Sequence, residues 1–121
     1  MNEQLTESKS IYLQISEMIE TDILREILLE EEQVPSTNEL AKQYTINPAT
    51  AAKGINLLVD EGILYKKRGI GMFVAAGARE KILSKRRRAF VETYLDRLLE
   101  EAGRLGITKE ELIEMIREKA L

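Results

Sequence analysis

Residues 34–76, VPSTNELAKQYTINPATAAKGINLLVDEGILYKKRGIGMFVAA, decide the fold, because two helix starts and a hairpin follow one another at close spacing. Pro35 disfavours helix at Val34 and begins a new element. Ser36 and Glu39 then form S-x-x-E, a capping box in which each side chain satisfies an otherwise unpaired amide of a helix start. The spacing predicts a helix from about Thr37 to Tyr44. After Thr45-Ile46-Asn47, Asn47 supplies an N-cap and Pro48 a first helical residue whose missing amide costs nothing. This second helix is expected to reach about Glu61 and to end at Gly62. Beyond it ILYKK and MFVAA, short and rich in branched and aromatic residues, are joined by Arg68-Gly69-Ile70-Gly71 and read as a β-hairpin.

Two short helices separated by a three-residue turn have the spacing of a helix-turn-helix. Ala51, Ile55, Leu58 and Val59 cover one face of the second helix, leaving Ala49, Thr50, Ala52, Lys53 and Asn56 outward. So slender a face fits a DNA major groove about 12 Å wide, and the amides at its start suit a phosphate. The competing interpretation is a solvated helix end. At the hairpin tip Lys66, Lys67 and Arg68 stand beside two glycines that allow close backbone approach, so that Arg68 can enter a minor groove. Exposed lysines also protect sheet edges from aggregation, which leaves an ordinary charged hairpin as the alternative. Gly54, inside a helix, costs about 1 kcal/mol relative to alanine. It is expected either where a neighbour packs closely or as drift without structural consequence.

Outward from this core, Ile11, Ile15, Met18, Ile19 and Ile23 recur at spacings of three and four and place an amphipathic helix before it. Residues 28–35 read as a loop, with Glu30-Glu31-Glu32 a solvated acidic run. Downstream, Gly77 precedes a long helix expected from about Arg79 to Arg104, and Gly103 and Gly106 mark its end. Thr108 and Glu111 repeat the capping box and open a last helix with Leu112, Ile113 and Ile116 on one face. The expected division is residues 1–76 as one domain and 77–121 as a two-helix segment.

Composition narrows the function. The 121 residues hold no cysteine and no histidine, which excludes disulfides, zinc sites of the usual ligand types and thiolate or imidazole catalysis. No paired acids, phosphate loop or nucleophile constellation replaces them, so no catalytic residue, metal site or cofactor is expected. No apolar run approaches the ~20 residues that span a bilayer, and the polar start lacks a signal-peptide layout, so the expected location is cytoplasmic. The net charge of −3 opposes binding a polyanion on average, yet the charge is segregated. Residues 1–35 carry nine acids and two bases, whereas residues 66–88 carry nine bases and one acid, Glu80. Fields of exposed charges are screened over roughly 8 Å at physiological salt, so local positive potential is what phosphate contact requires.

The run IYLQISEMIE, then VPSTNELAKQYTINPATAAKGINLL, then DEGILYKKRGIGMFVA resembles the DNA-binding domain of GntR-type bacterial regulators over residues 11–75. The short C-terminal extension resembles that of the YtrA subfamily, whose members carry a small dimerisation segment in place of a large effector domain. The resemblance implies DNA contacts from Ser36 and Asn38 on the first helix of the motif. It adds Asn47, Ala49, Thr50 and Lys53 on the recognition helix, and Arg68 with Gly69 on the wing. Three departures bear on readout. Asn38 stands where many relatives have arginine, Thr45 replaces the usual turn glycine, and Ala49 and Ala52 replace longer polar side chains. Asn47, Thr50, Lys53 and Arg68 are left as the main candidates for base contact.

On the long helix Phe90, Val91, Tyr94, Leu95, Leu98, Leu99, Ala102 and Leu105 form a stripe wider than one short partner helix covers. A second subunit would complete the burial, and packing back onto the winged domain is the alternative. Lys85, Arg86, Arg87 and Arg88, upstream of the stripe, either face DNA phosphates or form a solvated face. The segment is too small to enclose a pocket of ~300 Å³, so any small-molecule effector would need a subunit interface, and none is indicated.

The expected architecture is therefore mainly α with a small β-hairpin: a winged helix-turn-helix followed by a helical dimerisation hairpin. The expected function is a sequence-specific, homodimeric repressor on a two-fold operator in double-stranded DNA. A winged-helix module that binds protein without specific DNA binding is the alternative.

Overall fold

A computed structural model describes Leu5 and residues 9–120. Its elements run α1 (Ile11–Leu24), α2 (Thr37–Tyr44), α3 (Pro48–Asp60), β1 (Leu64–Lys67), β2 (Gly71–Val74), α4 (Ala78–Phe90), a π-helical turn (Val91–Leu95), α5 (Asp96–Arg104) and α6 (Lys109–Glu118). Contacts divide the chain into two compact units, one up to Leu83 and one from Ser84.

The first unit is a winged helix. Both expected caps form: Ser36 Oγ accepts from Glu39 N at 3.0 Å while Glu39 Oε1 accepts from Ser36 N at 3.1 Å. Asn47 Oδ1 accepts from Ala49 N at 2.8 Å, with Pro48 opening α3. Gly62 takes φ +74° just beyond the end of α3, as a helix-terminating glycine does. Thr45, at the turn between α2 and α3, takes φ +52° and ψ +53°, a left-handed conformation that a β-branched residue adopts at a cost of roughly 1–2 kcal/mol. The turn thus keeps the geometry a glycine would supply, under strain.

The core is one cluster. Ile15, Ile19 and Ile23 of α1 meet Leu40 of α2, Ala51, Ile55 and Leu58 of α3, Leu64 and Val74 of the hairpin, and Ile82 of α4. β1 and β2 pair antiparallel with Leu64 opposite Val74 and Lys67 opposite Gly71. The segment before α2 is the loop expected over residues 28–35, but it is tied to the hairpin. Gln33 bridges Phe73, Val34 N donates to Met72 O at 2.9 Å, and Glu31 N donates to Val74 O at 2.8 Å. A short third edge thus lies along β2. Three consecutive glutamates hide it from a pattern search, because strand propensity and alternation are both absent there.

Gly54 decides how α3 sits on α1. A Cβ built there would lie 2.7 Å from Tyr12 O and 3.1 Å from Ile15 Cβ, so the backbones meet closer than any side chain permits. Ser16 seals the crossing: its Oγ donates to Gly54 O at 2.7 Å and lies 3.2 Å from Tyr12 O. Close packing, the first of the two explanations for this glycine, is what the helix pair exhibits.

In the second unit, the long helix expected to run unbroken to Arg104 contains the π turn at Val91–Leu95. A π turn, closed by i→i+5 bonds, is wider than the α-helical turns on either side of it. Thr108 and Glu111 form the expected box at the start of α6, and Ile107 N donates to Ala102 O at 2.8 Å in the connection. Ala102 and Leu112 are buried, whereas Ile113 and Ile116 are exposed.

Gly54→Ala tests the crossing. The helix-propensity gain of about 1 kcal/mol is opposed by a clash with backbone, and overpacking of this kind costs about 1–3 kcal/mol. The variant is expected to melt several degrees below the parent in a calorimetric scan. A raised midpoint would show that the two backbones do not meet at Gly54.

Candidate nucleic-acid interface

The winged unit presents two projecting features, the outward face of α3 and the hairpin tip. On α3, Ala49, Lys53 and Asn56 are exposed and Thr50 and Ala52 half-buried. With Tyr12 of α1, several of these residues line an open concavity of about 520 Å³ that Leu57 and Asp60 complete. Lys53 does not stand clear of the helix. Its Nζ lies 4.1 Å from the centroid of the Tyr12 ring, so a cation–π contact holds the charge toward α1. The Asn47 cap uses that side chain's carbonyl acceptor and not its Nδ2 donors. Ser36 is likewise engaged through its hydroxyl as a cap, and Asn38 is exposed on α2.

At the tip Lys66, Lys67, Arg68, Gly69 and Ile70 are all exposed. The turn closes through Ile70 N donating to Lys67 O at 2.9 Å, and Gly69 adopts φ +76° with nothing near the place of a Cβ. Lys67 Nζ lies 4.2 Å from the Phe73 ring centroid, and the Phe73 and Tyr65 rings are 6.0 Å apart. Of the three basic residues, Lys67 is thus folded onto the aromatic face of the hairpin. The sequence-predicted residues fall into two groups, Ser36 to Lys53 around the two motif helices and Arg68 with Gly69 on the hairpin.

The acidic run Glu30-Glu31-Glu32 is exposed but does not behave as a merely solvated loop. Glu30 Oε1 accepts from Gly77 N at 2.8 Å, Glu32 Oε1 accepts from Leu29 N at 2.7 Å, and Glu31 accepts from the Tyr65 hydroxyl. Glu31 and Glu30 thus fasten the segment to β1 and to the entry to α4, while Glu32 closes a turn within it. The hydrogen bond to Glu31 raises the Tyr65 pKa above its ordinary 10.0, with desolvation and the Glu31 charge acting in the same direction. Among the described residues no cluster of acids is placed to hold a metal ion, and no helix is long and apolar enough to cross a membrane.

The sequence pattern of the gntR family of bacterial regulatory proteins matches residues 11–74, which span the helix-turn-helix and the hairpin just described. This chain belongs to the GntR family. Its regulator fold matches over nearly the whole length a crystal structure of a GntR-family transcriptional regulator from Bacteroides thetaiotaomicron. The TM-score is 0.76 at 36% identity, covering 89% of this chain and 94% of that one. The HTH-type transcriptional repressor YtrA of Bacillus subtilis (strain 168) is 30% identical over 111 residues, 92% of this chain and 85% of YtrA. The DNA-binding domain of AraR, solved in complex with operator ORX1, matches with a TM-score of 0.53 at 34% identity, covering 62% of this chain and 92% of that domain. The GntR chain is accordingly a DNA-binding transcriptional regulator and not an enzyme.

Sequence reasoning on this GntR regulator missed three participants in the surface: Tyr12, which holds Lys53, the glutamate run, and Gln33. Tyr12 could have been found, since an aromatic residue interrupts the polar side of α1. The roles of Glu30 and Glu31 depend on contacts made across more than thirty residues of chain, which no local pattern carries.

The Tyr65–Glu31 bond sets a pH dependence at alkaline pH. The folded-state pKa of Tyr65 is raised, so its contribution is fully present below the unfolded value near 10 and is lost as pH rises through the folded value. An ultraviolet titration is expected to show a tyrosine ionising above 10 that is absent in Tyr65→Phe. An unchanged curve in that variant would remove the bond from the account.

Proposed function

We propose that the chain is a repressor that acts as a homodimer on a two-fold operator, with residues 1–76 reading the DNA and 77–121 joining the subunits. The observation that carries the dimer is the apolar stripe. Phe90, Tyr94 and Leu105 are each 60% or more exposed in the single chain, and Val91, Leu95, Leu98 and Leu99 are exposed beside them. Burying side chains of this size is worth roughly 1.5–3 kcal/mol each, so several together offset an association cost of about 4–15 kcal/mol. A dimer also suits the target, since two recognition helices reading half-sites about one DNA turn apart require two-fold symmetry. Repression is supported by the naming of YtrA as a repressor.

For DNA contact the proposal assigns Asn47, Ala49 and Thr50 to the major groove, Ser36, Asn38 and Lys53 to its edge, and Arg68 with Gly69 to the minor groove. Ala49 supplies only an apolar methyl, which suits a thymine methyl, so hydrogen-bonded readout rests on a small set of side chains. The tie between Lys53 and Tyr12 favours a phosphate over a base edge for Lys53, because its ammonium is drawn toward α1 and away from the tip of the face.

Two experiments test this reading. Arg68→Ala is expected to weaken binding by about 1–3 kcal/mol and to relax preference at the bases it reads, whereas Lys53→Ala should weaken all sequences alike. If both variants bind as the parent does across a range of salt, the assignment is wrong. Changing Leu95 and Leu98 together to glutamate would bring unpaired charges into the proposed seam. Sedimentation is expected to show a monomer whose winged unit still melts cooperatively, and operator affinity should fall with it. A double variant that remains dimeric places the interface elsewhere.

A further inference from the structure

Gln33 takes no part in the contacts proposed above, yet it is the residue that joins the third edge to the hairpin tip. Its backbone bridges Phe73, which sets the start of its side chain beside β2. From there Nε2 donates to Ile70 O at 3.0 Å. The same nitrogen stands 2.5 Å from the place of a Cβ on Gly71, a residue at φ +144° that only glycine adopts readily. The carboxamide therefore occupies the space that Gly71 leaves open and grips the carbonyl of the residue before it.

We infer that Gln33 is a positioning residue for the wing, holding the turn at Lys67–Gly71 in the form that presents Arg68 and Ile70 to DNA. The inference rests on the proposed minor-groove role of Arg68. A tip with glycines at positions 69 and 71 has little conformational preference of its own, and two strands of four residues supply a marginal hairpin. Ordering such a tip at the moment of binding would subtract from affinity, and a tip ordered in advance avoids that loss. The chemistry at position 33 is specific. The three preceding residues are glutamates that accept hydrogen bonds, but the Ile70 carbonyl needs a donor, and there the acidic run gives way to an amide. Ile70 itself is 64% exposed, so the clamp holds its backbone and leaves its side chain in solvent.

The test uses the full chain and four proteins: parent, Gln33→Met, Arg68→Ala and the double variant. Methionine keeps the length of the side chain and removes the donor. The probe is a duplex recovered by the parent protein from fragmented bacterial genomic DNA, titrated by fluorescence anisotropy. Gln33→Met is expected to raise Kd about three- to tenfold, the range for losing one hydrogen bond. In the Arg68→Ala background it should add little, because the group being positioned is gone. Without DNA, nitrogen-15 relaxation should show Gly69, Ile70 and Gly71 more mobile in Gln33→Met, with the thermal midpoint almost unchanged. Parent-like binding by Gln33→Met beside a weakened Arg68→Ala would overturn the clamp alone. The same fold-loss in both backgrounds, or unaltered relaxation at the tip, would overturn it too. Parent-like binding by Arg68→Ala would overturn the wing's role and the clamp with it.

Discussion

The approach of α3 to α1 at Gly54 is the constraint on which the remaining geometry depends. With a side chain there, the backbone of α3 could not come within reach of Tyr12 O, and Ser16 could not close the crossing on Gly54 O. The contact fixes the rotation of α3 about its own axis. Ala51, Ile55 and Leu58 then point into the core, and Ala49, Lys53 and Asn56 point away from it. It also brings the Tyr12 ring beneath Lys53, so one close backbone contact sets both the exposed face of the recognition helix and the charge at its edge. The glycine weakens α3 by itself, and its missing side chain is what lets the two helices cross this closely.

The hairpin depends on a different set of forces. Its strands are short, and its support comes from residues 31–34 on one edge and from carboxylates that reach Tyr65 and Gly77. Glu30 and Glu31 of the acidic stretch are thus joined to the hairpin and to the residue that follows it within one compact unit. The acids fasten the base of the hairpin, while Lys66 and Arg68 lie out at its tip, exposed. This arrangement explains how a chain of net charge −3 serves a polyanionic partner, since the relevant potential is that of the tip and not of the whole.

The elements bounded by local chemistry were legible in the sequence. Ser36 with Glu39, Asn47 with Pro48, Gly62, and Thr108 with Glu111 each end or begin an element by hydrogen bonds within a few residues, and each stands where the spacing predicts. What escaped depends on distant partners or on small departures from a period. The third edge at Gln33 exists because β2 lies beside it, and the π turn at Val91–Leu95 interrupts a helix whose apolar spacing shows no break. The same division holds for the site. Arg68 and Lys53 are recognisable as exposed bases, but the ring that redirects Lys53 and the amide that grips the wing become visible only once the chain has folded.

The most direct measurement of the central claim is a hydroxyl-radical footprint of the 121-residue chain on a duplex recovered with it from genomic DNA. The account predicts two protected patches related by a two-fold axis, their centres about one helical turn of roughly 10 base pairs apart. A single asymmetric patch, or even protection along the duplex, would contradict the paired recognition on which this reading of both units rests.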